Sequence, residues 1–133
     1  MLSAPTEIAK KVELKATTVT LRDDGIMHFD LKPVDEYTRE DVMEVLEVVE
    51  EMGEGRAFPN LVTIKSYVQI DKEAKILSAS EEGNRFTLAD AFVLKSMPLK
   101  LLGNFYLQIN KPVKPTKLFN DEQEAIDWLT TFL

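Results

Sequence analysis

Short apolar runs alternate with amphipathic helical segments along this chain, and that alternation restricts the fold more than any other feature. A first hairpin is predicted around Asp23-Asp24-Gly25, because glycine accepts the positive φ that tight turns need. From there on, every predicted strand is followed by a predicted helix. Such alternation implies right-handed crossovers and a largely parallel sheet. We therefore predict an α/β domain with a five-stranded, mixed but mainly parallel sheet and about four helices, in the order β-β-α-β-α-β-α-β-α.

The predicted strands are runs of alternating or β-branched apolar residues. They cover residues 12–21, 26–31, 61–64, 88–94 and 117–119. The first run changes parity between Ala16 and Val19, which predicts a β-bulge or a break at Thr17-Thr18. The face of the second run that is predicted to be buried consists of Met27, Phe29 and Leu31.

Each predicted helix begins after a side chain that can accept hydrogen bonds from the free amides of the first turn. These four capping residues are Thr38, Asp71, Ser96 and Asp121. The first helix is predicted to end at Gly53 and Gly55. The third helix contains Gly103-Asn104, a pair that costs about 1 kcal/mol relative to alanine.

The composition excludes several classes of function. The 133 residues are 44% hydrophobic and 29% charged, which is typical of one globular domain, here residues 1–133. Residues 1–11 show no pattern and are predicted to be poorly ordered. Cysteine is absent, which excludes disulfides, thiolate metal sites and cysteine nucleophiles. No apolar stretch approaches the roughly 18 residues of a membrane span, and no targeting segment is visible, so a cytoplasmic location is expected.

The net charge of −7 is concentrated in one part of the chain, and it argues against nonspecific binding of nucleic acid or anionic membranes. Residues 1–60 carry 7 Lys/Arg and 14 Asp/Glu, whereas residues 61–133 carry 9 of each. Most of the excess lies between Asp35 and Glu54. One predicted helical face there is predicted to be solvated, with a surface for a basic partner and a metal site as the alternatives. That face consists of Glu40, Glu44, Glu47 and Glu51.

No catalytic constellation is visible around the single histidine. His28 lies on a predicted strand beside Asp30, where a half-exposed structural role is the favoured interpretation. The sequence contains no G-x-S-x-G elbow, no Walker loop and no calcium loop. We predict no enzyme, no cofactor and no metal; an enzyme would require His28 or Asp90 with a polar partner in one cleft. Three lysines are interpreted as ordinary surface, with an anion or an acidic partner as the alternative: Lys111, Lys114 and Lys117.

The third predicted helix is more apolar than a one-sided surface helix requires. It carries Leu99, Leu101, Leu102, Phe105 and Tyr106. This excess predicts either a dimer face or the lining of an apolar pocket.

Several short motifs follow one another between Asp24 and Leu133, and the most specific is Leu118-Phe119-Asn120-Asp121 followed by Ala125 and Trp128-Leu129. The others are Asp24-Gly25-Ile26, Asn60-Leu61-Val62, Asp71-Lys72-Glu73-Ala74, Ala89-Asp90-Ala91-Phe92-Val93 and Leu102-Gly103-Asn104-Phe105. In this order they resemble the STAS-like domains, the fold of anti-sigma-factor antagonists, and more narrowly an uncharacterised STAS-like family of bacterial proteins. That fold also resembles the CRAL-TRIO lipid-binding fold. The resemblance implies a strand-led α/β layer fold and no established enzymatic activity.

One departure from the family pattern concerns regulation. Antagonists of the sigma-factor switch carry a phosphorylatable serine at the start of the helix after the third strand. The corresponding segment here, residues 69–74, has Asp71 at the helix start and no serine or threonine. The resemblance therefore does not extend to that phosphorylation switch.

Two functions remain as hypotheses. The first is a non-enzymatic interaction or regulatory domain that binds a protein partner or a second copy of itself. The alternative is a carrier of a small apolar or lipid-like ligand, which rests on fold analogy and on the apolar third helix. The residues predicted to form the partner or ligand surface are Asp71, Lys95, Ser96, Leu99, Leu102, Phe105 and Tyr106.

Overall fold

The computed structural model describes residues 10–133, and apart from two additional strands of two residues each, its strands and helices alternate from the first hairpin onward as the sequence predicts. The strands are β1 Lys10–Glu13, β2 Thr17–Leu21, β3 Met27–Leu31, β4 Glu36–Tyr37, β5 Phe58–Ile64, β6 Gln69–Ile70, β7 Thr87–Val93 and β8 Thr116–Phe119. The helices are α1 Arg39–Gly53, α2 Lys72–Ala79, α3 Met97–Asn110 and α4 Glu122–Thr130. Of the segment predicted to be poorly ordered, residues 1–9 lie outside the described residues, whereas Lys10 and Lys11 belong to β1.

The main sheet is mixed and has six strands in the order β1-β2-β3-β5-β7-β8. β1, β2 and β3 pair antiparallel, and the remaining three pairings are parallel. The prediction of a mainly parallel five-stranded sheet was therefore wrong in the number of strands and in their balance of directions. The error lies in residues 12–21: the chain does not bulge at Thr17-Thr18 but reverses before it, where Leu14 N donates to Thr17 O at 2.9 Å.

A second, two-stranded parallel sheet of β4 and β6 is not predicted by the sequence. Each strand has only two residues, which is too short for an alternating pattern to be visible. Each strand stands directly before the capping residue of a helix, and Asp71 N donates to Tyr37 O at 3.0 Å. This small sheet therefore joins the beginnings of α1 and α2.

The structure confirms all four predicted capping residues. Thr38 forms a complete capping box, in which Asp41 N donates to Thr38 Oγ1 at 3.3 Å and Thr38 N donates to Asp41 Oδ2 at 2.8 Å. The Asp71 carboxylate accepts the amide three residues later at 2.7 Å, and the Ser96 hydroxyl accepts the corresponding amide of α3 at 3.4 Å. Local chemistry thus determines where the helices begin.

Helices cover both faces of the main sheet. Adjacent residues of β5 face opposite sides, since side chains alternate along a strand. Val62 packs with Leu99 of α3, whereas Leu61 packs with Leu129 of α4. α1 lies on the same side as α3, packed on the end of the sheet formed by β2 and β3. One face is therefore covered by α1, α2 and α3, and the other by α4.

Gly103 explains how α3 approaches the sheet. A Cβ atom at this position would lie 2.6 Å from Leu94 Cδ1 and 3.1 Å from Leu118 Cδ1, closer than packed carbon atoms come. Glycine is unfavourable within a helix, but here its missing side chain lets the helix backbone lie against two leucines. The cost that the sequence indicates at this position is offset by that packing.

Candidate functional site

A pocket of about 140 Å³ lies between the main sheet and the three helices on its first face. Its walls are mostly apolar: α1 contributes Val45 and Val49, β5 contributes Val62, and α3 contributes Leu99 and Leu102. The apolar excess of α3 predicts either a dimer face or the lining of a pocket. The inner side of α3 does line a pocket. A cavity of this size in an apolar interior holds a molecule the size of benzene.

Polar side chains interrupt the apolar lining on the two central strands. Asn60 on β5 is 3% exposed, and its Nδ2 donates to Thr87 Oγ1 and to Asp90 Oδ1, both at 2.9 Å. Its Oδ1 is buried without a hydrogen-bond partner among the described residues. Buried amide oxygens normally have a partner, so this atom marks an incompletely satisfied polar group in the core.

An irregularity in β7 brings this group together. Phe58 pairs with Thr87 but Pro59 pairs with Ala89, so β7 takes two steps where β5 takes one. Such a bulge reverses which residues share a face. Thr87 and Asp90 are three residues apart and would lie on opposite faces of a regular strand, yet both contact the Asn60 amide and line the pocket. We name Asn60, Thr87 and Asp90 the polar floor.

The Asp90 carboxylate is held in an environment that disfavours its charge. Burial raises the pKa of Asp90 to about 6, and the hydrogen bond from Asn60 offsets part of that effect. Tyr106 of α3 also lines the pocket, and its pKa is raised by its own burial and by the negative charge of Asp90. Its ring stands 6.1 Å from that of Phe92, centroid to centroid.

The chain matches the model of a domain of unknown function, DUF7793, over residues 19–133. The chain belongs to this family. Among proteins with curated functions, none matches the sequence. The fold of this DUF7793 chain is similar to that of an uncharacterized protein of the DUF3478 family from Shewanella loihica, whose crystal structure has a SpoIIAA-like fold. The two are 18% identical, the match covers 91% of each chain, and the TM-score is 0.59.

That structural match confirms the STAS-like α/β fold and says nothing about activity. A protein of unknown function from an Arthrobacter species is 25% identical over 84% of this chain and 96% of its own, but with a TM-score of 0.33. Among residues 10–133, no helix is long and apolar enough to cross a membrane.

The predicted surface residues separate into three groups in this DUF7793 domain. Asp71 and Ser96 are helix caps, and Lys95 is exposed before α3. Leu99, Leu102 and Tyr106 line the pocket, whereas Phe105 points away from it into solvent. The predicted residues thus lie at the beginning of α2, at the beginning of α3 and on both sides of α3.

The outer side of α3 carries a continuous apolar stripe, which we name the α3 stripe. Its four side chains follow at intervals of four residues and are between 58% and 66% exposed. They are Met97, Leu101, Phe105 and Ile109. Residues four apart are neighbours on a helix surface, so these side chains form one ridge. Lys100 is the only charged residue within α3.

The two residues on which an enzymatic interpretation would depend lie on opposite faces of the sheet. Asp90 faces the pocket, whereas His28 has the alternate parity of β3 and its Nε2 lies 2.8 Å from Thr63 Oγ1. Thr63 in turn donates to Asp30 Oδ1 at 2.6 Å, and burial lowers the pKa of His28. His28 and Asp90 therefore do not share a cleft, and of the two only Asp90 lies in the pocket with a polar partner, the Asn60 amide. Within residues 10–133 no cluster of acidic or histidine side chains is arranged to hold a metal ion.

Sequence reasoning overlooked Asn60 and Thr87. Asn60 stands in a strand whose seven residues are all buried, and a polar residue at such a position is a usable signal. Thr87 has no comparable signal, because its place on the pocket face depends on the bulge in β7. Asp90 is visible in the sequence as a polar residue in an apolar run. Its hydrogen-bond partner Asn60 cannot be recognised from the sequence around Asp90.

Proposed function

We propose that this chain is a non-enzymatic interaction domain that pairs with a second copy of itself through the α3 stripe. The exposed ridge of Met97, Leu101, Phe105 and Ile109 carries this proposal. Contiguous apolar surface of this kind is uncommon on monomers and typical of interfaces. The helix α3 has no acidic residue and only one lysine, Lys100, so little charge is desolvated when the stripe is covered.

The spacing of the stripe suits a two-fold symmetric pairing. In an antiparallel pair of α3 helices, Leu101 of one copy lies opposite Phe105 of the other, and Met97 lies opposite Ile109. The same alignment brings Lys95 towards the other copy's Lys111. These exposed like charges repel weakly, and added salt screens them. Self-association through this surface is therefore expected to strengthen with salt.

Analytical ultracentrifugation over a wide range of concentrations tests this pairing. The expected result is a monomer–dimer equilibrium whose dissociation constant falls when salt is added. The double variant Leu101→Gln/Phe105→Gln is expected to weaken the dimer at least about tenfold, because two central anchors are lost. Met43→Gln removes an exposed apolar side chain of α1 and serves as the matched control, without effect on the dimer.

A monomer at every concentration would overturn the pairing. A dimer that the α3 variant and the Met43 variant weaken equally would also overturn it, since the interface would then lie elsewhere. A dimer that weakens with salt contradicts the lysine arrangement and points to an interface that joins the basic α3 region to acidic α1.

The pocket favours a second function, that of a carrier of a small apolar ligand. Its support is the set of apolar side chains that α1, β5 and α3 direct into a space of about 140 Å³. Titration of the protein with toluene, followed by amide shifts of Val62 and Leu99 in nuclear magnetic resonance spectra, tests this function. Saturable shifts at both residues are expected, and their absence would overturn it.

A further inference from the structure

The polar floor of the pocket has two acceptor atoms without a partner. Asn60 Oδ1 is buried and unpaired among residues 10–133. The hydrogen bond from Asn60 reaches Asp90 Oδ1, and the described residues supply no donor to Asp90 Oδ2. An ionised carboxylate can only accept hydrogen bonds, so the free Asp90 Oδ2 is complementary to a donor, whereas Asn60 Oδ1 is sealed within the core.

The charge of Asp90 is also unbalanced in its surroundings. Burial is the main influence on the pKa of Asp90, and the hydrogen bond from Asn60 is the second. No lysine or arginine among the described residues contributes to this pKa. Lys75 of α2 lines the pocket but does not affect the pKa of Asp90. Carboxylates in apolar surroundings are normally paired with a cation or with several donors. The floor of this pocket therefore lacks the partner that its chemistry calls for.

We propose that Asp90, which is held by the Asn60 amide, binds the hydrogen-bond-donating head group of a small molecule whose apolar body fills the pocket. The ligand class is a primary amine or an alcohol attached to a group of about the size of benzene. This inference rests on the carrier function and adds the polar specificity to it. Val62, Leu99 and Leu102 surround the apolar body, and the head group donates to Asp90 Oδ2.

The same geometry disfavours an amphipathic molecule whose polar end is an anion. A ligand that ends in a carboxylate would bring a second negative charge to Asp90 within an apolar enclosure. Such a ligand is expected to bind more weakly than one without any head group. The order of affinity at neutral pH is therefore amine, alcohol, unsubstituted hydrocarbon and carboxylate.

Four molecules that share one ring test this order: benzylamine, benzyl alcohol, toluene and benzoate. Their dissociation constants for the full chain are measured by chemical-shift titration at pH 7.5. Benzylamine, which is cationic at this pH, is expected to bind at least about tenfold more tightly than toluene, because a charge-assisted hydrogen bond forms. Benzyl alcohol is expected between them, and benzoate is expected to bind most weakly.

Asp90→Asn provides the second arm of the experiment, with Glu47→Gln on the exposed side of α1 as the control of equal charge change. Asp90→Asn is expected to remove the preference for benzylamine and to improve benzoate binding, while toluene binding stays within about threefold. Glu47→Gln is expected to leave all four constants unchanged. Thermal unfolding of each variant verifies that it folds. If Asp90→Asn does not fold, the four dissociation constants of the wild-type protein alone test the order of affinity.

The outcomes separate this inference from the carrier function. If toluene binds and benzylamine binds no better, the polar floor does not select a donor, and the inference is wrong although the pocket carries apolar ligands. Benzoate binding more tightly than toluene would likewise overturn it. If none of the four binds, the carrier function fails and the inference with it.

Discussion

The helices α1 and α3 lie on the same side of one sheet and turn very different outer surfaces to solvent. The outer side of α1 carries exposed glutamates, including Glu40, Glu44, Glu47 and Glu51. The outer side of α3 carries the apolar α3 stripe, and residues 91–120 contain five lysines and no acidic residue. Both helices bury an apolar inner side against the pocket. An apolar inner side thus shows only that a helix packs on its own domain. An apolar outer side, as on α3, indicates that the helix binds a further partner.

The solvated face predicted for α1 is confirmed, because its four glutamates are exposed, whereas Val42, Val45 and Val49 on the opposite side are buried. The outer surface of α1 is therefore acidic, whereas the outer surface around α3 is apolar and basic. The net charge of −7 describes α1 and its surroundings and conceals a basic and apolar region around α3.

Gly103→Val is expected to have the largest effect on stability, because it removes the close approach of the α3 backbone to two leucines. Its side chain would occupy the positions of Leu94 and Leu118. Overpacking of this kind costs about 3 kcal/mol of unfolding free energy. Urea unfolding monitored by circular dichroism measures it, with the exposed neighbour Asn104→Ala as the control. A loss for Gly103→Val no greater than for the control would mean that α3 does not rest on these leucines.

The carboxylates of Asp41, which is buried in α1, and of Asp90, which is half-buried on β7, provide the next comparison. Asp41 of α1 accepts from Thr38 N and Thr38 Oγ1, whereas Asp90 below α3 accepts one hydrogen bond. Asp41→Ala is expected to destabilise the protein by about 1 kcal/mol because the Thr38 amide and hydroxyl lose their acceptor. Asp90→Asn is expected to stabilise it at neutral pH, because it removes an unpaired buried charge.

The effect of Asp90 has a defined pH dependence. Its pKa rises from 3.8 to about 6 on folding, so the native state retains a proton that the unfolded chain has already released between these values. Stability is therefore lost as pH rises through this window and is constant above it; the loss is roughly 3 kcal/mol. Unfolding free energies of Asp90→Asn and wild type should converge near pH 4 and diverge towards pH 7. A constant difference across this range would contradict the burial of the charge.

The smallest expected effects concern the two helix caps. Thr38→Ala removes part of a reciprocal capping box, and Ser96→Ala removes one hydrogen bond of 3.4 Å. Losses of about 1 kcal/mol and about 0.5 kcal/mol are expected, respectively. Thermal unfolding of the two variants side by side measures the difference. Equal losses would show that the Thr38 hydroxyl, which makes two hydrogen bonds with Asp41, contributes no more to α1 than the single Ser96 bond contributes to α3.

The sequence predicts the elements of this fold well wherever the signal is local. The capping side chains Thr38, Asp71, Ser96 and Asp121 mark all four helices, because the hydrogen bonds involved span three residues. Sequence reasoning fails where a decision depends on pairing between distant segments. Residues 12–21 read as one interrupted strand, since a change of parity looks the same for a bulge as for a reversal of the chain.

The candidate site follows the same division. Asp90 stands out in an apolar run, and the apolar excess of α3 indicates a pocket or an interface. Which residues of α3 face inward is decided by the docking of Gly103 against Leu94 and Leu118. The meeting of Asn60, Thr87 and Asp90 depends on neighbouring strands and on one extra residue in β7, and no local pattern encodes that register.

The amino-acid sequence by itself determines that this chain is an α/β domain with an acidic first helix, capped helix starts and no cysteine chemistry, because composition and short-range hydrogen bonding decide those features. Only the tertiary structure decides that the sheet is mixed, that α3 divides its apolar residues between a pocket and a solvent-facing stripe, and that Asp90 lies in an apolar enclosure beside an unpaired amide oxygen. These features arise from contacts between residues far apart in the chain. Their energies depend on burial and on strand register, which the order of residues does not reveal locally.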